Sequence, residues 1–155
     1  MKSVFEKITH LLNASNVAFK HVQHTPTYTS EESAKARNEP LEIGAKALLV
    51  KIDDNFALFV MSAARKLDSK KVKALTQARS IRFADAEELH ASTSLVPGSV
   101  PPFGQPILPF TLYVDDSITA QPRIAFNAGS LTDSIILETE DYLRLSQGIL
   151  ASFSK

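Results

Sequence analysis

A mixed α/β fold, with short helices set around a mixed β-sheet, is what the pattern of apolar runs in this 155-residue chain predicts. The strongest local signal is Ile43 to Met61, where two apolar runs flank Asp53-Asp54-Asn55, the signature of a β-hairpin. A second is the uneven alternation of short strand-like and helix-like stretches, which argues against a regular parallel βα repeat. No internal repeat or low-complexity segment modifies that reading.

Taken in order, Val4, Phe5, Ile8, Leu11 and Leu12 are spaced for the inner stripe of an amphipathic helix over residues 2–14, ended by Asn13 and Asn16. Val17 to Val22 alternates as a short strand. Pro26 then forces an extended turn, and Thr29 with Glu32 forms a capping box for a helix to about Asn38. Pro40 blocks its continuation. In the hairpin, Lys46, Leu48, Val50 and Ile52 share one face, while Ala47, Leu49 and Lys51 share the other. Lys46 therefore opens its strand beside three large aliphatics. Its ammonium must snorkel to water, find a partner, or sit in a pocket with a lowered pKa.

Beyond the hairpin, Asp68 is an N-cap for a helix over about 69–76, Arg79 to Phe83 reads as a strand, and Asp85 starts a helix through Leu89. Between Arg65 and Arg82 lie seven basic residues, Lys70, Lys71 and Lys73 among them, against one acid, Asp68. Such a run is either a solvated helix face or a phosphate-binding patch. Five prolines and two glycines fall between Leu95 and Pro109. That stretch is too rigid for a linker and too apolar for a disordered tail, which marks an ordered loop that either covers a sheet edge or brings backbone N–H groups to a ligand. Phe110 to Val114, Arg123 to Phe126 and Ser134 to Leu137 read as strands, and Asp115-Asp116-Ser117 as a turn or one helical turn. Thr139 is the expected cap of a last helix carrying Tyr142, Leu143 and Leu145, and the tail after Gln147 is expected to fray.

Composition narrows the chemistry. The chain is expected to form a single domain over residues 1–155, with no apolar run near the ~20 residues needed to cross a bilayer and no signal-peptide pattern at its start. A soluble cytoplasmic protein is expected. The absence of cysteine excludes disulfides, thiolate metal sites and a cysteine nucleophile. His10, His21, His24 and His90 lack close ligand spacing, so neither a metal nor another cofactor is expected. With 17 basic and 17 acidic residues, a polyanion would have to be held by a local patch. No serine sits in a Gly-x-Ser-x-Gly elbow, which disfavours a Ser-His-Asp hydrolase.

Four segments, in order, resemble the YbaK/ProX family of aminoacyl-tRNA deacylases, which includes the editing domain inserted in bacterial prolyl-tRNA synthetases. They are His24-Thr25-Pro26 with Tyr28 to Ala34; Ala45-Lys46-Ala47-Leu48-Leu49-Val50; Gly98-Ser99-Val100-Pro101-Pro102-Phe103-Gly104; and Arg123 to Ser130. The resemblance implies a barrel-like mixed core and hydrolysis in trans of mischarged tRNA, here a small amino acid on a proline-accepting tRNA. It places Lys46 at the family's essential lysine, and Gly98, Ser99 and Gly104 on the loop that cradles the aminoacyl end. His24, Tyr28, Asn127, Gly129 and Ser130 are the further substrate-binding positions it suggests. Ser99 stands where many relatives have a second glycine. The implied partners are the 3′ aminoacyl end of tRNA and an aminoacyl-tRNA synthetase, with no membrane and no metal, for a monomer or weak dimer. In the chemistry so implied, loop N–H groups and the Lys46 ammonium polarise the ester carbonyl, and water or the terminal ribose hydroxyl assists. A module that binds tRNA or an aminoacyl group without cleaving it is the alternative.

Overall fold

The computed structural model describes residues 2–155 and has a mixed α/β fold. Helix α1 (Val4–Ala14) starts at a capping box made by Ser3 and Glu6 and buries Ile8 and Leu12. Strand β1 (Phe19–Gln23) leads to α2 (Ser30–Arg37). That helix has its capping box at Thr29 and Glu32 and ends where Asn38 turns left-handed at φ 57°.

The hairpin pairs β2 (Ala45–Ile52) with β3 (Asn55–Ser62) in unbroken antiparallel register, from Ala45 opposite Ser62 to Ile52 opposite Asn55. Asn55 belongs to the strand, so the turn is the dipeptide Asp53-Asp54. The Asp53 carboxylate accepts from the backbone N–H groups of Arg79 and Ser80, each at 3.0 Å. It thereby fixes the start of β4 (Ile81–Phe83) against the far end of β2. Asp68 caps α3 (Ser69–Thr76), and Asp85 caps α4 (Ala86–Thr93), which runs one turn past the expected end. Next come β5 (Thr111–Asp115), the single turn α5 (Asp116–Thr119), β6 (Arg123–Asn127), β7 (Asp133–Glu138), α6 (Thr139–Ser146) and β8 (Ile149–Ala151).

The strands form two sheets and do not close into one barrel. One has the order β1-β7-β6, all antiparallel. The other has the order β4-β2-β3-β5-β8, antiparallel at one end and parallel where β3, β5 and β8 meet. Alternation sorts side chains to two faces of the larger sheet. Ala45, Leu49, Leu58, Val60 and Leu112 join Ile124, Phe126, Ile135, Leu137 and α1 in the main core. Leu48, Val50 and Ile52 pack with Phe59, Met61, Val72 and Phe153 on the opposite side. Between the sheets, one isolated parallel bridge joins Gly44 to Ala125.

Two expectations about the C-terminal region are corrected. Thr139 is the first residue of α6, not its cap, and its buried Oγ1 has no hydrogen-bond partner among the described residues. The tail does not fray: β8 adds to the sheet and Phe153 is fully buried. The cause is Asp115, whose carboxylate accepts from Phe153 N at 2.7 Å, Ser154 N at 3.1 Å, Ser154 Oγ at 2.7 Å and Ser117 N at 3.0 Å. Burial pushes this carboxyl's pKa up, but the hydrogen bonds together outweigh burial and hold it below the ordinary value.

Asp115→Asn would face those same donors with an amide in place of a charge. A loss of about 2–4 kcal/mol in urea unfolding is expected, with earlier proteolysis of the tail. Because the folded pKa is depressed, the contribution of Asp115 is present above the ordinary aspartate range and fades as pH falls through the folded value. The destabilisation caused by the substitution should therefore shrink in acid. An Asp115→Asn protein as stable as the wild type at neutral pH would remove Asp115 as the anchor.

Candidate active site

A cavity of about 180 Å³ opens where the two sheets meet, next to the Gly44–Ala125 bridge. β4 covers the outer edge of β2 only along residues 50–52. From Ala45 to Leu48 that edge has no strand partner among the described residues, and these residues line the cavity. An unpaired strand edge presents backbone N–H and C=O groups, so one wall is polar at the main chain while its side chains are small. Ala45, Ala47, Ala63 and Ala125 keep the space narrow.

Lys46 stands at the rim, half-buried. Its Nζ donates to the Arg65 carbonyl at 2.5 Å, which holds the ammonium beside the opening. Burial lowers its pKa from the ordinary lysine value; Glu31 opposes the shift and Lys66 adds to it. Tyr28, 65% exposed, stands at the same rim, and its backbone lies against Gly98. Gly98 adopts φ +90°, a conformation side-chain-bearing residues rarely take, and so turns the proline-rich loop along the cavity.

Under the cavity lies a hydrogen-bonded layer that ties α2 to β6 and β7. Asn127, buried at the end of β6, donates from Nδ2 to the Gly98 carbonyl at 2.9 Å and to Thr27 Oγ1 at 3.3 Å. Its Oδ1 accepts from Arg37 Nη2 at 3.0 Å, and Arg37 Nε donates to Ser134 Oγ at 2.8 Å. His24 completes the layer from behind, 2.8 Å from both Thr25 O and Ser134 Oγ. A carbonyl can only accept, so Nδ1 carries a proton; the Ser134 hydroxyl, which accepts from Arg37 Nε, has one proton to share between His24 Nε2 and Asn127 Oδ1, the latter 3.1 Å away.

The structure thus brings Lys46, Tyr28, Gly98 and Asn127 to one cavity, and places other sequence-derived positions elsewhere. His24 acts on the cavity only through Ser134. Ser99 Oγ donates to the Val96 carbonyl at 2.7 Å within the loop, and the Ser99 carbonyl accepts from Gly129 N. Gly129 packs on α1, where a Cβ would come within 2.8 Å of Val4. Ser130 closes a turn on Asp133 and Thr132. Gly104 is buried in the core, where a Cβ would sit 2.5 Å from the Phe110 carbonyl. Phe103 pulls that end of the loop inward, edge-on to Phe126 and Tyr142, and the Tyr142 hydroxyl donates to Pro102 O at 2.6 Å. Of the flagged lysines, Lys71 donates to Ser154 O at 3.0 Å, whereas the Lys70 and Lys73 ammonium groups are unbonded among the described residues. Two polar cavity residues are not among the expected site residues: Arg37, and Ser33 within the Tyr28 to Ala34 segment, one turn apart on the buried side of α2. In so polar a helix, only the four-residue spacing of these two could have pointed to them.

With this geometry in view, the relatives are informative. Residues 24–145 match the aminoacyl-tRNA editing domain. The chain is 30% identical over 156 residues to the multifunctional Ser/Thr-tRNA deacylase ProXp-y of Escherichia coli (strain K12), covering 97% of this chain and 92% of the relative. A proline–tRNA ligase of Shouchella clausii is 33% identical over 100 residues, 64% of this chain and 17% of the ligase. The crystal structure of a candidate trans-editing enzyme for prolyl-tRNA synthetase superposes with a TM-score of 0.82 at 21% identity, over 100% of this chain and 99% of the other. The chain belongs to the aminoacyl-tRNA editing domain family, the YbaK/ProX family that its motifs resemble. It is an aminoacyl-tRNA deacylase by class.

Two predictions follow for Lys46. Lys46→Ala should lower deacylation about 10²–10³-fold, as loss of one transition-state donor does, while Lys51→Ala, on the opposite face of the same strand, keeps near-normal rates. Equal losses in both would refute the assignment of Lys46. If the ammonium is the active form, background-corrected activity should fall on the alkaline side with a midpoint below the ordinary lysine value of 10.5. Lys66→Gln should then raise that midpoint and Glu31→Gln lower it; a profile indifferent to both would assign the limb to another group.

Proposed function

We propose that this chain acts as a free-standing editing domain that hydrolyses the ester of a small amino acid carried by a proline-accepting tRNA. The single observation that carries this reading is the convergence of Lys46, Tyr28, Gly98 and Asn127 on one small cavity beside an unpaired strand edge. The rim admits the 3′ end, with Tyr28 as a face against which the terminal adenine can stack. The aminoacyl group enters between Lys46 and Gly98. Lys46 and main-chain N–H groups of the edge or the Gly98 turn stabilise the charge that develops on the ester oxygen, and the attacking hydroxyl comes from water or from the terminal ribose. The alanine walls support a small substrate. Serine and threonine, named for the Escherichia coli relative, fit that limit. The likeness to proline–tRNA ligases supports the choice of tRNA and an association with such a synthetase, and with it a cytoplasmic setting. Among the described residues no helix is long and apolar enough to cross a membrane.

Contact with the acceptor stem falls to the basic surface beyond Lys46. Arg82 is taken up by Glu88 at 2.7 and 2.9 Å, Lys71 by the tail and Arg65 by Ser154 Oγ, while Lys70 and Lys73 on α3 are among the basic side chains free for phosphates.

Purified protein assayed against a panel of mischarged proline-accepting tRNAs is the deciding experiment. Release of a small amino acid that depends on Lys46 supports the proposal. Tight tRNA binding without hydrolysis of any ester would replace it with a non-catalytic binding module. Changing Lys70 and Lys73 together to Gln should weaken tRNA binding, reduce the salt slope by about 2, and leave stability within about 0.5 kcal/mol. An unchanged slope would move the phosphate contacts elsewhere.

A further inference from the structure

Two cations reach the cavity, and they differ in what holds them. Lys46 is at the rim, where solvent and a carbonyl share its charge. Arg37 is on the floor, buried, with neutral partners: Nε on Ser134 Oγ at 2.8 Å and Nη2 on Asn127 Oδ1 at 3.0 Å. No carboxylate pairs with it among the described residues. Glu39, the acid whose field reaches it, is engaged by Arg123 at 2.9 and 3.2 Å. Burial draws the Arg37 pKa down to about 10 against the pull of Glu39, so it remains charged at neutral pH. Nη1 makes no hydrogen bond among the described residues and lies at the Gly44 wall of the cavity, 3.8 Å from the place a Gly44 Cβ would take. A desolvated guanidinium with unused N–H groups is costly unless an oxygen completes it.

The tRNA is far too large to enter, so the ester stays at the rim with Lys46. The part of the substrate that reaches the floor is the amino-acid side chain. The alanine walls restrict it to a short one, and with Nε and one N–H of Nη2 committed, three N–H groups remain, two of them on Nη1 at the cavity wall; a short side chain brings one oxygen to Nη1, which a hydroxyl supplies and a methyl of equal size does not. Resting on the deacylase reading, we propose that Arg37 Nη1 donates to the side-chain hydroxyl of the aminoacyl group. Arg37 thereby makes this protein selective for hydroxyl-bearing esters over aliphatic esters of equal size. Asn127 and Ser134 are positioning residues that aim the guanidinium.

The test is single-turnover hydrolysis of isosteric pairs on one tRNA: seryl against 2-aminobutyryl, and threonyl against valyl. The wild type should cleave the hydroxyl member about 10–100-fold faster, the range of a hydrogen bond to a charged donor. Arg37→Met should bring both ratios near one, chiefly by slowing the hydroxyl esters. A ratio taken within one variant does not depend on the fraction of protein that is active. Should Arg37→Met not fold, Arg37→Lys keeps the charge but withdraws the planar donors, and its ratios should fall likewise. Calorimetric binding of 3′-serylamido- and 3′-(2-aminobutyryl)amido-adenosine to the wild type gives the same comparison without catalysis, the first binding about 10-fold or more tighter. Equal cleavage of both members by the wild type, or ratios that survive loss of the guanidinium, would overturn the role of Arg37 and leave the deacylase reading standing. No cleavage of any ester by the wild type would overturn both.

Discussion

The parallel bridge between Gly44 and Ala125 sets how closely the two sheets approach, and the cavity is a consequence of that distance. Gly44 fits at the bridge without a side chain: a Cβ there would be 2.9 Å from Ala63 Cβ, just past the end of β3, and 3.2 Å from the Leu41 carbonyl. Immediately after the bridge, β2 departs along β3, and no strand covers its other edge until β4 arrives at Val50. The gap runs from Ala45 to Leu48, roughly 13 Å at the rise of a strand. Unsatisfied main-chain groups are expensive in a core, so an exposed strand edge of this length beside a solvent-reached cavity suits an enzyme that offers donors to a substrate.

The polar layer below the gap has a structural and a chemical role together. Arg37, Asn127, Ser134, Thr27 and His24 belong to α2, β6, β7 and the segment before α2, and their hydrogen bonds link those pieces where apolar packing is thin. A fully satisfied buried network specifies one arrangement of its members, because any shift strands a donor or an acceptor. Among the described residues, the donors of Arg37 left over are one N–H of Nη2 and both of Nη1, and Nη1 lies at the cavity wall. Rigidity of the floor and selectivity of the pocket thus rest on the same side chains.

Legibility from the sequence followed the range of the interactions. Local signals are legible: the capping box at Thr29, the helix start at Asp85, the hairpin, and the alternation that puts Lys46 and Lys51 on opposite faces. The order of the tail is not legible locally, because Phe153 and Ser154 are held by Asp115, over thirty residues upstream, and nothing near the tail announces that carboxylate. The motif glycines divide for the same reason. Gly98 and Gly104 look alike in a proline-rich loop, but only Phe103, anchored between Phe126 and Tyr142, determines that the second is drawn into the core while the first stays at the cavity.

Arg37 shows why the site was harder to read than the fold. Alone in the sequence it is one of four charged residues on a short polar helix, and Lys35 nearby is exposed. Its burial depends on Ser134 and Asn127, roughly ninety residues away, arriving as acceptors. Apolar periodicity cannot reveal an inward-facing cation, since the pattern marks the helix as solvated. The deciding quantity is the count of partners: two neutral acceptors for a guanidinium with five N–H donors, with no carboxylate on it among the described residues and a cavity at its open side. Core arginines that serve packing alone are ordinarily matched by an acid. One matched by none, with its open donors on a cavity wall, is better explained by the substrate than by the fold.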